Sequence, residues 1–183
     1  MTGFVTRMLR AAQLDAALYE EVEADPHALG QATLVVVLSS LAAGIGHLGG
    51  VAVGEMLLLT LVTLLGWYVW AYLTYFIGTR WLPGVRTEAD WGQLLRTIGF
   101  SSAPGLVQVI GVILPEGGEK ELLFLAIALW MLVAMVIAVR QALDYDSTAR
   151  AVGVCAIGWV IQLLISGVVF GLLGAPTPAP VSA

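Results

Sequence analysis

The chain has 183 residues, 59% of them hydrophobic and only 11% charged, with a mean hydropathy of +0.92. Soluble globular domains carry roughly a quarter charged residues, so this composition excludes an ordinary water-soluble fold and predicts a single membrane domain. The net charge of -5 leaves no basic stripe to neutralise phosphates, which excludes nucleic acid as a partner.

In chain order, residues 1-25 form a short helical segment ahead of the membrane domain. Phe4, Met8, Ala11 and Ala12 recur at helical spacing beside Arg7 and Arg10, which suits a helix lying in the membrane interface. Asp15, Glu20 and Glu21 stand where a secretory leader would carry its apolar region, so no secretory signal is expected. Asp15 reads as the cap of a second short helix, Ala16–Ala24, with Leu18 and Val22 on one face and Glu20, Glu21 and Glu23 elsewhere. Two readings stay open for it. It is a solvated acidic helix, or it docks a partner or folds as a lid over the arginines.

Five apolar segments follow in residues 26-175, at about Ala28–Ile45, Met56–Ile77, Thr97–Leu114, Leu122–Val139 and Ala151–Ala175. Each is long enough to cross the roughly 30 Å hydrocarbon core as helix, and without strand-like alternation helix is the form that satisfies the backbone. The expected fold is therefore all-α: a polytopic protein of five transmembrane helices behind an amphipathic, acidic segment. Asp25-Pro26 caps the first span. The Gly-rich stretch His47–Gly54, then Pro83-Gly84, then Pro115-Glu116-Gly117-Gly118 break the chain between spans. Residues 176-183 carry prolines and small residues, and a flexible tail is expected.

Threading five helices puts Arg7, Arg10, Arg80, Arg86, Arg96, Arg140 and Arg150 on one side and Lys120 on the other. By the positive-inside rule the N-terminus is cytoplasmic and the C-terminus outside, in a cell's inner membrane. Trp67, Tyr68, Trp70, Tyr72, Tyr75, Trp81 and Trp91 read as an aromatic belt at the inner interface.

Few groups remain for chemistry. Cys155 is alone in an apolar segment. His27 and His47 are separated by a whole span and cannot share a zinc, and no HExxH, CxxC, GxSxG or P-loop occurs. No catalytic residue, cofactor or metal is expected. Pro104 cannot donate to the Phe100 carbonyl, so the third helix should kink there; Ser101 and Ser102 can supply replacement bonds, and Gly99 and Gly105 flank the kink. A moving hinge or small cavity is the alternative to a purely structural kink. Gly167 and Gly171 form a GxxxG pair, with Gly174 on nearly the same face, for contact within the monomer or with another subunit. Arg96, Arg140, Asp144, Asp146 and Arg150 cluster at the cytoplasmic rim, where they anchor by snorkelling or bind a headgroup or partner. Arg140 and Asp144 are spaced to pair on one helical face.

Several stretches together resemble the bacterial branch of the Yip1 family. They are Leu18-Tyr19-Glu20-Glu21-Val22-Glu23-Ala24-Asp25-Pro26, then Leu94 through Gly105 with its Gly99-Phe100-Ser101…Pro104 pattern, then Trp130 through Ala138 running into Val139-Arg140-Gln141-Ala142-Leu143-Asp144-Tyr145 and Ala149-Arg150-Ala151-Val152. The resemblance implies five membrane helices behind a cytoplasmic N-terminal segment. The Asp-Leu-Tyr-Gly-Pro motif that eukaryotic members carry before the first helix, and with it their GTPase-binding role, is missing. The function expected is that of a non-catalytic scaffold or accessory subunit, binding lipid, other membrane protein subunits or itself through helix faces and the rim. The alternative is a small transporter or lipid-moving protein built on the kinked third helix.

Overall fold

The computed structural model describes residues 3–48 and 53–173, all of them helix, turn or loop with no strand. Helix α1 (Phe4–Ala12) ends in a Schellman turn: Leu14 donates to the Ala11 carbonyl at 3.0 Å and Asp15 to Arg10 at 3.1 Å. That closure holds Leu14 at φ 64, the left-handed region a side chain adopts at a cost. Asp15 then caps α2 (Ala16–Ala24), its Oδ1 accepting from the Ala17 backbone at 3.0 Å. The bounds of α2 are those its sequence predicts.

Among the described residues, four helices are long and apolar enough to cross a membrane. They are α3 (Ala28–Leu48), α4 (Val53–Phe76, continued by a π-helical turn Ile77–Trp81), α6 (Gly118–Ala142) and α7 (Thr148–Leu173). The third apolar segment is not one helix. It is split into α5 (Trp91–Phe100) and a 3-10 helix (Ala103–Ile113), so the expected count of five continuous spanning helices is not reproduced. Helix α5 also starts earlier than its apolar run, because Asp90 and Gln93 form a capping box.

Proline explains the break. Pro104 has no N–H for the Phe100 carbonyl, and the chain turns through Ser101-Ser102, with Ser102 donating to the Gly99 carbonyl at 3.2 Å. The chain then continues as the 3-10 helix over Ala103–Ile113.

Helix α3 is the hub, packing on α4, α5 and the 3-10 helix, while α7 lies at the edge against α6 and, less extensively, α4. Alanines 32, 71, 134, 138 and 142 are buried at the crossings, where small side chains let backbones approach. Outward faces keep their leucines exposed, including Leu57, Leu61, Leu65, Leu122, Leu125, Leu129, Leu163 and Leu164. Water would not leave such a belt uncovered; hydrocarbon covers it at no cost. Gly174, the tail 176-183 and the middle of the stretch between α3 and α4 lie outside the described residues.

Candidate functional site

The N-terminal helices are part of the bundle. Leu18, Tyr19 and Val22 are fully buried, on a helix packed on α5 and α6. Full burial of such side chains contributes about 1.5–3 kcal/mol each where water is the alternative. The face Leu18/Val22 that the sequence offers to a partner is thus occupied by the chain's own helices. Of the acidic residues on α2, Glu20 accepts from Gln141 Nε2 at 2.8 Å and Glu21 bridges two arginines, Arg7 at 3.0 Å and Arg10 at 2.6 Å.

That bridge belongs to a larger network. Arg7, its side chain 7% exposed, also meets Asp25 at 2.9 Å and the Gln31 amide oxygen at 3.1 Å, and Arg10 meets Asp15 at 2.7 Å. The Arg7 hydrogen bond holds the Asp25 carboxyl below the usual range, helped by the His27 backbone N–H; Arg10 does the same for Asp15. Trp130 completes the attachment, its indole donating to the Ala12 carbonyl at the end of α1 at 2.8 Å.

The rim residues separate into distinct jobs. Arg96, buried, turns under α2 and caps its C-terminus: Nε donates to the Val22 carbonyl at 3.0 Å and Nη2 to that of Glu23. A cation at a helix C-terminus satisfies orphan carbonyls and the negative end of the dipole. Beside it, burial above all, then repulsion from Asp144, pushes the Glu23 carboxyl up to about 7, against the opposing pull of Arg96. Arg140 and Asp144 do not pair. Helix α6 ends in a Schellman turn at Asp144, φ 50, which swings the carboxylate off the helical face, and Arg140 Nε donates instead to the Tyr145 carbonyl at 3.2 Å. Arg150 stacks over the Tyr145 ring at 5.5 Å, and Asp146 pairs with Arg86.

Arg140, Asp144 and Asp146 nevertheless line one cleft of about 500 Å³ with Glu20, Arg86 and Tyr145. The loop before α5 and the loop before α7 meet here. Tyr145 Oη lies 3.0 Å from the Gly78 carbonyl and 2.6 Å from that of Leu82, and Thr87 Oγ1 donates to Leu143 at 2.9 Å. Arg96 and Arg150 do not line the cleft.

The glycines at the break do what their position suggests. A Cβ on Gly99 would lie 2.8 Å from the Ala32 Cβ, and one on Gly105 would overlap Ser39 Oγ. Farther along, a Cβ on Gly46 would overlap the Gln108 carbonyl, and one on Gly111 would come within 2.9 Å of the Gly46 carbonyl. The third leg, α5 with the 3-10 helix, therefore packs tightly on α3 from Gly99 to Gly111, and touches it backbone to backbone around Gly46, Gln108 and Gly111. Ser101 Oγ donates to Ile98 at 2.7 Å, a replacement bond at the break. By contrast, a Cβ on Gly167 meets nothing within 4 Å among the described residues.

The aromatic residues also divide. Tyr68, Tyr72, Trp81 and Trp91 face outward, with Trp91 edge-on to Tyr68 and Tyr72 at 6.0 and 6.2 Å, as an interfacial belt requires. Trp67 turns inward and is 6% exposed, and Trp70 is half-buried against Trp159 at 5.7 Å.

A family model described as the Yip1 domain matches residues 16–170, from the first residue of α2 into the last helix. No curated protein and no solved structure matches the chain.

Proposed function

The chain belongs to the Yip1 family of multi-pass membrane proteins, and we propose that it works there as a non-catalytic scaffold or accessory subunit. It sits in the inner membrane with the arginine-bearing end cytoplasmic. Its partners are other membrane protein subunits, further copies of itself, or lipid. The observation that carries this reading is the mixed-sign cleft of about 500 Å³ at the arginine-bearing end, where residues from α2, α6 and two loops converge. Charges of both signs on rigid, cross-braced loops suit recognition of a complementary polar surface. The cleft supplies no nucleophile–base pair of the kind acyl or phosphoryl transfer needs.

The third leg acts as a fifth crossing in this reading. Ten α-helical residues rise about 15 Å, and eleven 3-10 residues about 22 Å, together more than the roughly 30 Å of hydrocarbon. An odd number of crossings then puts the C-terminus outside. A reporter active only in the cytoplasm, fused after Ala183, should be silent; activity there would remove the fifth crossing. Solubilised in mild detergent, the wild-type protein should retain a stoichiometric partner that the double substitution Arg140→Ala with Asp146→Ala releases. Retention by that variant would rule out the cleft. One observation favours the lipid-moving alternative: the break at Ser101-Ser102 borders a mid-bundle cavity of about 430 Å³. Transport across liposomes that changes with Pro104→Ala would support it.

A further inference from the structure

The charges of the rim cleft are only partly used by the chain itself. Arg86 and Asp146 pair with each other, and Glu20 accepts from the Gln141 amide, a neutral donor, at 2.8 Å. Arg140 uses Nε alone, on the Tyr145 carbonyl at 3.2 Å; its two terminal nitrogens have no partner among the described residues. The Asp144 carboxylate has neither a hydrogen bond nor an ion pair among the described residues. One cleft is thus lined by half a guanidinium without an anion and by two carboxylates, Asp144 and Glu20, without a cation. The local field agrees. Glu23, half-buried beside this end, has its carboxyl pushed up to about 7 by burial first and then by repulsion from Asp144, with Glu20 adding to it against Arg96. A ligand carrying an anion and a cation a short distance apart complements such a surface on both counts.

An apolar groove leads straight into this cleft. It has a volume of about 810 Å³ and runs between α6 and α7, with Val133, Val136 and Ile137 on one wall and Thr148 and Val152 on the other. Residues three and four apart on a helix share a face, so the row Val133-Val136-Ile137 continues one turn further as Arg140 and Gln141, which line the cleft. On the opposite wall Thr148, at the end of the groove, follows closely on Asp146 of the cleft. Groove and cleft are therefore consecutive lengths of one surface, at the ends of two helices long and apolar enough to cross a membrane. An occupant of both has a zwitterionic head at the membrane interface and a hydrocarbon chain below it.

We infer, on the reading of this cleft as the recognition site, that cleft and groove together bind one molecule of phosphatidylethanolamine, its phosphate on the Arg140 guanidinium, its ammonium between Asp144 and Glu20, and an acyl chain along the α6–α7 groove. The headgroup chemistry separates this lipid from its neighbours. A primary ammonium brings three N–H donors to the two carboxylates, whereas a choline carries the same charge with no N–H to donate. Phosphatidylglycerol brings the phosphate but no cation, and sets its negative charge beside Asp144 and Glu20 uncompensated. The site is one of binding alone.

The test uses the full chain, stripped of lipid in mild detergent, with dioleoyl phosphatidylethanolamine, phosphatidylcholine and phosphatidylglycerol added singly as probes and bound lipid read by native mass spectrometry. The wild-type protein should hold one equivalent of phosphatidylethanolamine, about tenfold or more tighter than either of the others, because charge-assisted hydrogen bonds are what differ. Asp144 sits at φ 50, a region that asparagine also tolerates, so Asp144→Asn should keep the melting midpoint while phosphatidylethanolamine binds about tenfold more weakly and its preference over phosphatidylcholine narrows. Arg140→Gln should weaken all three lipids alike, since each carries the phosphate. Glycerophosphoethanolamine, the same head without chains, should not displace the lipid at equal concentration. Equal binding of the three lipids by the wild type, an unchanged preference in Asp144→Asn, or displacement by the chainless head would each overturn the inference. A protein partner released by Arg140→Ala with Asp146→Ala, from a chain that shows no lipid preference, would also overturn it while leaving the cleft as a recognition site.

Discussion

Substituting Arg96 by methionine tests how the N-terminal helices are held. Arg96 is 9% exposed, and its guanidinium donates to two carbonyls at the end of α2, Val22 at 3.0 Å and Glu23. Hydrogen bonds from a charged donor contribute about 1.5–3 kcal/mol each, and complementing the helix dipole adds about 0.3–1 kcal/mol. Methionine keeps most of the apolar stem, so packing changes little. Water reaches the rim and rehydrates part of what is exposed, and removing the cation relieves its own desolvation, which brings the expected net loss to about 2–4 kcal/mol. That loss falls on the docking of α2 rather than on the whole bundle, because the other helices keep their contacts. Amide hydrogen exchange reads it directly: α2 amides should exchange about 30- to 1000-fold faster, while amides in α3 and α6 stay protected. Arg96→Lys should recover part of the loss, since one ammonium does not span two carbonyls as a guanidinium fork does. If α2 exchanges at the wild-type rate in a folded Arg96→Met protein, the cap does not hold the helix and the reasoning fails.

Glu23 gives that attachment a pH dependence. Its carboxyl is raised from 4.5 to about 7 in the folded protein, so its contribution is full below about pH 4.5 and is lost as pH rises through about 7; after screening of a half-buried group the change is on the order of 1 kcal/mol. Protection of α2 should therefore decline between pH 5 and 8, and Glu23→Gln should flatten the profile. Asp15 and Asp25 act in the opposite sense, since their carboxyls are lowered and their contribution disappears only as acid reaches those depressed values. Arg7→Met strands the Asp25 carboxylate, with Glu21 keeping Arg10, and should lower the thermal midpoint and speed exchange in α1. Gly46→Ala forces a methyl onto the Gln108 carbonyl and should cost about 1–3 kcal/mol or more. Gly167→Leu should leave the monomer's midpoint unchanged, because nothing described stands within 4 Å of a Cβ there.

The residues themselves determined the membrane character, the helical class and the exact span of α2. Those properties rest on local quantities: apolar length, helical period, and a capping aspartate one residue before the turn it closes. The break at Pro104 was legible for the same reason, as a missing N–H at a known place. So was the earlier start of α5, because Asp90 and Gln93 carry the capping-box spacing. Tertiary structure decided the rest. Whether Leu18 and Val22 face water, a partner or their own bundle depends on whether a complementary face lies within reach, and Arg96, 74 residues away from Val22, supplies its anchor. The GxxxG spacing in α7 and the isolated glycines 46, 99, 105 and 111 offer the same freedom of approach. The packing of α3 against the third leg is what uses the isolated set, because there the neighbouring chain comes within reach of each missing Cβ. Arg140 and Asp144 have pairing spacing, yet the chain leaves the helix between them. Trp67 and Trp70 share a belt-like stretch with Tyr68 and Tyr72, but helical rotation sends the first two inward and the others to lipid. Period fixes which residues share a face, and only assembly fixes what that face meets.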